Sequence, residues 1–304
     1  MTSATATLAS PVRPVSRVRG TTLAALGMAC VGSSVAVSAT IVDAPLFTLQ
    51  AVRYAIAALI LLVTFRLTGR RVPRPRGTEW LWLAAVSVTG LVIFNVAVVR
   101  GVDHAEPAVI GVAVAAVPVL LAIVPALVRR RRPPVLLAVG ALVVTAGAVL
   151  VQGTGRTDAA GVGYAMLALA CEAGFTLCAL PVLLRLGPAG VSFHSVWMAA
   201  AGLAVLGIGT EGARAAGELD LSDAVAALWL AVVVTAVAFL LWYAAVGAIG
   251  AGRAGLFTGV VPITAAVGGV ALGGEIPGPL VWLGTGVVAA GVALGLRAAA
   301  DEGA

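Results

Sequence analysis

Two ionisable residues lie inside long apolar stretches of the sequence, where a charge is costly and therefore marks a candidate functional site. Arg53 lies about seven residues into the segment that begins near Leu46, which is roughly 10 Å deep at the rise of an α-helix. Glu172 lies about eleven residues, or roughly 16 Å, into the segment that begins near Gly161. A guanidinium group can bind a substrate carboxylate, and a carboxyl group can bind an ammonium group or carry a proton. These two residues are the first candidates for a substrate or proton site.

More than one interpretation of each residue is open at this point. Glu172 is either a proton-coupling or substrate-ammonium site, or a structural partner of Arg53 or a polar group in an aqueous vestibule. Arg53 either binds a substrate carboxylate, or forms a structural pair or extends its side chain to the outer surface. The sequence does not decide whether the two residues pair with each other.

Further polar and aromatic residues are expected to line a cavity near these two. Gln50 lies one turn before Arg53 on the same helix face, and Asn95 lies in the outer third of the third predicted helix. Trp242 and Tyr243, in the eighth predicted helix, are candidates for the cavity wall. The alternative for Asn95 is a hydrogen bond that holds neighbouring helices together.

The elements that must position these residues are membrane-spanning helices. The chain has 304 residues, 61% of them hydrophobic and 11% charged, and a mean hydropathy of +1.10, which is too little polar surface for a water-soluble fold. Apolar runs of about 20 residues match the length of a transmembrane α-helix. We predict an all-α integral membrane protein with ten transmembrane helices, which begin near Thr22, Leu46, Trp80, Val109, Val135, Gly161, Val191, Ala224, Ala254 and Leu280.

The arginines predict the orientation of these helices. All 19 basic residues are arginine, and short loops rich in arginine stay in the cytoplasm. With a cytoplasmic N-terminus, every arginine except Arg53, Arg100, Arg156 and Arg214 falls on the inside. Both termini are therefore expected in the cytoplasm, in a multi-pass protein of the plasma or inner membrane. The run Arg129 to Arg132 is expected to be a cytoplasmic anchor, with an anionic-lipid or partner site as the alternative.

An internal repeat divides the chain into two halves. The stretch "GALVVTAG" at 140–147 is similar to "GTGVVAAG" at 284–291, and the same offset aligns Pro118 with Pro262, which are predicted hinges or kinks. Five helices per half make the second half inverted in the membrane, an arrangement typical of carriers. The predicted bounds are a cytoplasmic tail at 1–21, repeats at 22–152 and 153–298, and a C-terminal tail at 299–304.

Two long stretches resemble a known family. They read "GSSVAVSATIVDAPLFTLQAVRYAIAALILL" at 32–62 and "LWYAAVGAIGAGRAGLFTGVVPITAAVGGVALGGEIPGPLVWLGTGVVAAGVAL" at 241–294. They are similar to EamA-type members of the drug/metabolite transporter superfamily in the helix-two arginine Arg53, the helix-nine proline Pro262 and the turn of Gly274 and Glu275. The resemblance implies secondary active export of amino acids, nucleosides or related metabolites, commonly linked to a proton gradient. The first repeat departs from the pattern, since Arg130 and Arg131 replace the turn.

Several classes of function are excluded. A pI near 10.2 is typical of nucleic-acid binding only where a solvated basic face exists, and no segment is long enough to form one. No phosphate-binding loop of a nucleotide-driven pump and no metalloprotease or nucleophile-elbow motif occurs in the sequence. We therefore expect no catalytic residue, no metal site and no cofactor, and a protein that is not an enzyme.

The sequence as a whole predicts a secondary active transporter that exports amino acids or related small metabolites by alternating access. Whether transport is coupled to protons is left open. The expected partners are a small-molecule substrate and the lipid bilayer. A lipid or lipid-linked-sugar flippase and a non-transporting membrane scaffold or sensor are the alternatives. The substrate, the transport direction, the coupling ion and the oligomeric state are not determined by the sequence.

Overall fold

The structure, a computed structural model, describes residues 17–38, 41, 44–153, 155–271, 276 and 278–297. Its regular secondary structure in these ranges is helical, and we group the segments into ten units, α1 to α10, in chain order. Their bounds are Arg17–Ser38 for α1, Leu46–Leu67 for α2, Glu79–Ser87, Val88–Ile93 and Phe94–Val102 for α3, Pro107–Val114 and Val117–Val128 for α4, Val135–Gln152 for α5, Ala159–Leu177 for α6, Leu180–Thr210 for α7, Leu221–Trp229, Leu230–Val237 and Ala238–Ile249 for α8, Ala251–Gly255, Leu256–Gly259 and Val260–Ala271 for α9, and Pro279–Arg297 for α10.

Most of these units are long and apolar enough to cross a bilayer. Within the described ranges, eight units meet that criterion: α2, α3, α4, α6, α7, α8, α9 and α10. The apolar helix α5 is shorter, and α1 packs along α8 and α9. The chain is therefore an all-helical, multi-pass membrane protein, as predicted, whereas the predicted number of ten spans is not confirmed.

Helix boundaries differ from the prediction at two places. The helix α1 begins at Arg17, so the last residues assigned to the 1–21 tail are helical. The helix α7 begins at Leu180, well before the expected Val191. Its backbone is broken at Gly187, where φ of 67° and ψ of 169° are readily adopted only by glycine. The predicted start near Val191 corresponds to the segment after this break, which Pro188 opens. The rest of the two tails and the turn of Gly274 and Glu275 lie outside the described residues.

The two halves of the chain share an irregularity that the sequence did not predict. In α3 the residues Val88–Ile93 form a π-helix, and in α8 the residues Leu230–Val237 do the same. These stretches occupy corresponding positions in the two predicted repeats. The hydroxyl of Thr235 donates a hydrogen bond to the Leu230 carbonyl, five residues earlier, at 2.9 Å. Such π-helical turns are frequent at functional sites.

The backbones of α5 and α10 are in contact where the two helices cross, and glycines from both halves of the chain allow this contact. A Cβ atom on Gly147 would lie 2.6 Å from the backbone nitrogen of Val288, and one on Gly284 would lie 2.6 Å from the carbonyl oxygen of Gly147. Gly140 and Gly291 approach each other in the same way. The contacts are reciprocal and use the two repeated stretches, so the similarity of 140–147 and 284–291 has a packing cause: small residues allow close approach of helices in a membrane.

Polar contacts tie the helices together at the arginine-rich end of the molecule. Arg185 forms an ion pair with Glu79 and donates a hydrogen bond to the Arg74 carbonyl at 2.9 Å. A ring nitrogen of His194 lies 2.9 Å from the Pro73 carbonyl oxygen. The connection between α2 and α3 is thus held against α7.

Other contacts hold loops at the opposite end. Arg156 pairs with Glu106 at 2.9 Å, and this hydrogen bond lowers the pKa of the Glu106 carboxyl. Asp158 accepts a hydrogen bond from the Gly161 backbone, which caps α6, and it contacts His104 at 3.0 Å. These two interactions, the backbone one first, lower the pKa of Asp158. The connection between α3 and α4 is thereby fixed to the connection between the two halves.

Glu211, at the end of α7, caps the N-terminus of α2. Its carboxylate accepts the backbone N–H groups of Phe47 and Thr48 at 2.7 and 2.8 Å. Replacing Glu211 with Ala should lower the free energy of unfolding by about 1 kcal/mol, because both donors lose their acceptor. Thermal unfolding of the purified protein measures this. Glu218→Ala, at an exposed position in the same loop, is the control, and an equal effect of the two changes would contradict the capping role.

Candidate functional site

A cavity of about 140 Å³ lies between α1, α2, α3, α6 and α8. Both halves of the chain contribute to its wall. The polar residues that line it are Ser34, Arg53, Asn95 and Glu172. Most of the remaining wall is aromatic or aliphatic, and its larger side chains are Met28, Tyr54, Phe94, Phe175, Phe239 and Trp242. A mostly apolar cavity with a few polar groups is typical of a small-molecule site.

Arg53 is held by hydrogen bonds from two sides of the cavity. Its Nε donates to the hydroxyl of Thr235 at 2.9 Å, and its Nη1 donates to the amide oxygen of Gln50 at 3.1 Å. The guanidinium also lies 5.0 Å from the centroid of the Tyr54 ring. Thr235 belongs to the π-helical stretch of α8, so a residue of the second half orients the arginine of the first half. Arg53 also lines the cavity, so a ligand there can contact its guanidinium.

A polar chain extends from Arg53 to α3. The Gln50 amide nitrogen donates to the Asn95 side-chain oxygen at 3.2 Å. The Asn95 amide nitrogen donates to the Leu91 carbonyl and lies 3.4 Å from the Tyr54 hydroxyl. Asn95 therefore lines the cavity and also joins α3 to α2 by hydrogen bonds. Its position agrees with both interpretations given above, a lining residue and a hydrogen bond between neighbouring helices.

Glu172 lines the same cavity from α6. In the part of the chain that the structure describes, its carboxyl accepts no hydrogen bond and belongs to no ion pair. Arg53 likewise has no carboxylate within 4.0 Å among these residues. The structural pair of Glu172 and Arg53, one of the open interpretations, is thus not formed. A guanidinium group and a carboxyl group thus face one cavity without forming an ion pair.

Two predicted lining residues have other positions. Gln50 is not part of the wall; it lies behind Arg53 and orients the guanidinium. Tyr243 is fully buried behind the wall, where its hydroxyl donates to the Phe175 carbonyl at 3.1 Å and its ring packs against Phe175. Trp242 does line the cavity, and its ring nitrogen donates to the Thr176 hydroxyl at 3.0 Å. Adjacent residues of one helix point in different directions, which explains why only one of the two aromatic residues lines the cavity.

Both predicted kink prolines follow an interruption of their helix. In α4 the helix stops after Val114, and Pro118 lies in the first turn of the next segment. In α9 the 3₁₀ stretch Leu256–Gly259 precedes the segment that contains Pro262. Neither proline lines the cavity, and a hinge motion at these positions stays a prediction.

The sequence did not single out Tyr54 or Thr235. Tyr54 is the residue after Arg53, and this adjacency in the sequence was the one feature that could have indicated a role for Tyr54 at the site. Thr235 is a threonine in an apolar helix, a common residue there, and its contact with Arg53 bridges 182 residues of sequence. Across residues 17–38, 44–153, 155–271 and 278–297 no cluster of three or more His, Cys, Asp or Glu residues could hold a metal ion.

Comparison with known proteins gives matches over nearly the whole chain. The model of the EamA-like transporter family matches twice, over residues 18–152 and 159–297. The uncharacterized transporter YetK of Bacillus subtilis (strain 168) is 28% identical over 254 residues, which cover 80% of this chain and 76% of that protein. A solved crystal structure superposes with a TM-score of 0.78, covering 92% of this chain and 96% of that one. At 19% sequence identity, this likeness shows a common fold.

Proposed function

Because the chain belongs to the EamA-like transporter family, we propose that this transporter exports amino acids or closely related small metabolites by alternating access. The observation that carries the proposal is the cavity in which Arg53 and Glu172 face a common space without pairing. A guanidinium and a carboxyl group that are not paired with each other match a solute with a carboxylate and an ammonium group, which can transfer a proton to Glu172 or bind its ionised form. The comparisons point to a transporter rather than an enzyme.

The chemistry of the cavity fits the ends of a zwitterion. The guanidinium of Arg53 is oriented by Gln50 and Thr235, so it binds a substrate carboxylate through donors whose direction is fixed before binding. Glu172 accepts the ammonium group. The aromatic wall, which includes Phe175 and Trp242, contacts the rest of the substrate. Removal of the substrate from water strengthens both charge contacts.

The distribution of charge supports the orientation in the membrane. The loops that follow α2 and α4 contain eight of the 19 arginines, and such arginine-rich loops remain cytoplasmic during insertion. The protein then lies in the cell membrane with both termini in the cytoplasm. Its two similar halves, inverted with respect to each other, exchange conformations and open the cavity first to one side and then to the other.

The first test names the substrate. The medium of cells that express the wild type is compared, by untargeted mass spectrometry, with the medium of cells that express the double variant Arg53→Ala and Glu172→Gln at matched abundance. We expect one class of amino acids or related metabolites to accumulate outside only with the wild type. The matched control is Arg100→Ala with Glu218→Gln, which removes the same charges at exposed positions. Equal media for the wild type and the site variant would contradict export through this cavity and favour a flippase or a scaffold.

The second test concerns energy coupling through Glu172. Glu172 has no hydrogen-bond or ion-pair partner among the described residues, so its carboxyl group can exchange a proton with the bound solute or with water. In proteoliposomes that contain the substrate, Glu172→Gln should abolish transport driven by a pH gradient and retain exchange of labelled for unlabelled substrate, although at a higher substrate concentration because the ammonium contact is lost. If the variant still follows the pH gradient as the wild type does, Glu172 is not the coupling group.

A further inference from the structure

A second concave region lies at the arginine-rich end of α2, away from the substrate cavity. It encloses about 830 Å³ between the last turns of the helix and the chain that follows. Four arginines line it: Arg66, Arg70, Arg71 and Arg74. Leu62 and Phe65 form its apolar side. We call this region the basic cleft.

The backbone at the end of α2 places the arginines around the cleft. Gly69 has a positive φ of 65°, the Arg70 N–H donates to the Phe65 carbonyl at 3.0 Å, and the Gly69 N–H donates to the Arg66 carbonyl at 3.2 Å. This pair of hydrogen bonds is the Schellman ending of a helix, which turns the chain back on itself. The residues after Gly69 therefore face the last turn of α2 instead of leaving the protein.

The positive charges of the cleft are not neutralised by any carboxylate in the part of the chain that the structure describes. In the described chain none of the four arginine side chains belongs to an ion pair, and all four are exposed. The acidic residue nearest in sequence, Glu79, is paired with Arg185. Four like charges in one concavity repel each other, and an anion placed there relieves that repulsion.

An apolar stripe leads from the bilayer to the cleft. Leu59, Val63 and Leu67 follow each other at intervals of four residues on α2 and are exposed, Leu67 at 84%. Residues at this spacing share one face of a helix. An acyl chain along this face would bring its phosphate group to Arg66 and Arg70, which line the cleft at the end of this helix. A soluble anion has no acyl chain and would make no contact with these apolar residues.

We propose that the basic cleft binds the headgroup of an anionic phospholipid, with its acyl chain along Leu59, Val63 and Leu67. The guanidinium groups donate hydrogen bonds to the phosphate oxygens, in the geometry that makes arginine a frequent ligand of phosphate. Basic pockets next to transmembrane helices at the membrane surface are suited to such headgroups. The site lies outside the cavity that contains Arg53 and Glu172.

The test measures lipid retained by the purified full-length protein in a neutral detergent. Native mass spectrometry follows bound lipid during titration with phosphatidylglycerol and, separately, with phosphatidylcholine. The variant replaces Arg66, Arg70, Arg71 and Arg74 with Gln; the matched control replaces the four arginines from Arg129 to Arg132 with Gln, which removes the same charge outside the cleft. Inorganic phosphate is added in a third series. A double variant, Arg70→Gln with Arg71→Gln, repeats the measurement if the fourfold variant does not purify as a monodisperse protein.

We expect phosphatidylglycerol to bind the wild type and the Arg129 to Arg132 control, and to bind the cleft variant at least about tenfold more weakly. Phosphatidylcholine should bind all three alike. Equal weakening in the cleft variant and the control would mean that positive charge anywhere on the protein attracts phosphatidylglycerol. This result would overturn the proposal of a lipid site in the basic cleft. Displacement of phosphatidylglycerol by millimolar inorganic phosphate would overturn the lipid in favour of a soluble anion.

Discussion

Replacing Arg53 with Gln is expected to lower transport by about 10- to 100-fold, because one hydrogen bond between charged groups contributes about 1.5–3 kcal/mol. The guanidinium is buried, and among the described residues its hydrogen bonds go to the neutral side chains of Gln50 and Thr235, while its third contact is the ring of Tyr54. In the described part of the chain no carboxylate forms an ion pair with it, so a substrate carboxylate would supply the opposite charge. The measurement is the initial rate of substrate uptake into proteoliposomes, with the amount of folded protein checked by size-exclusion chromatography.

Three further variants distinguish the charge of Arg53, the orientation of its guanidinium and an unspecific effect of removing an arginine. Arg100→Gln removes an exposed arginine and should leave the rate unchanged. Thr235→Val removes the acceptor of the Arg53 Nε, together with the Thr235 hydrogen bond to the Leu230 carbonyl, but keeps the guanidinium, so the rate should fall less than in Arg53→Gln. Arg53→Lys keeps the charge without the planar pair of donors and should retain part of the rate. If the Lys and Gln variants are equally slow, or if a folded Gln variant transports at the wild-type rate, a charge contact with the substrate is the wrong interpretation.

Replacing Gly284 with Val is expected to prevent accumulation of folded protein or to lower its unfolding temperature strongly. A Cβ atom at Gly284 would lie 2.6 Å from the carbonyl oxygen of Gly147, and a backbone atom cannot rotate away as a side chain can. The helices α5 and α10 would have to separate along their whole crossing. Overpacking costs about 1–3 kcal/mol when a core can adjust. We expect the loss of stability caused by Gly284→Val to lie at the upper end of that range or beyond it.

The control is two residues away on the same helix. Gly286 is exposed and has no atom within 4 Å of an added Cβ, so Gly286→Val should behave as the wild type. Both variants are compared by detergent-solubilised yield and by thermal unfolding of the purified protein. Equal behaviour of the two variants would show that the helices do not cross at Gly284. Gly147→Val, on the partner helix, should reproduce the loss, because the contact is reciprocal.

The family and the general site were accessible from sequence for physical reasons. A bilayer requires about 20 apolar residues for each helix, so the helical class is visible in composition and run length alone. A charged residue inside such a run is costly, which singled out Arg53 and Glu172, and both line the cavity. The resemblance to the EamA family agrees with the family match, while the substrate and the energy coupling stay proposals.

The sequence by itself determined the all-helical membrane class, the approximate positions of most helices and the two charged residues of the cavity. These features depend on the type of each residue and on its distance along a helix. Only the tertiary structure decided that Arg53 and Glu172 do not pair, that Thr235 and Gln50 orient the guanidinium, and that Tyr243 lies behind the wall. These contacts depend on the rotation and crossing of helices far apart in the chain, and the two π-helical stretches alter that rotation. No local pattern of residue types specifies it.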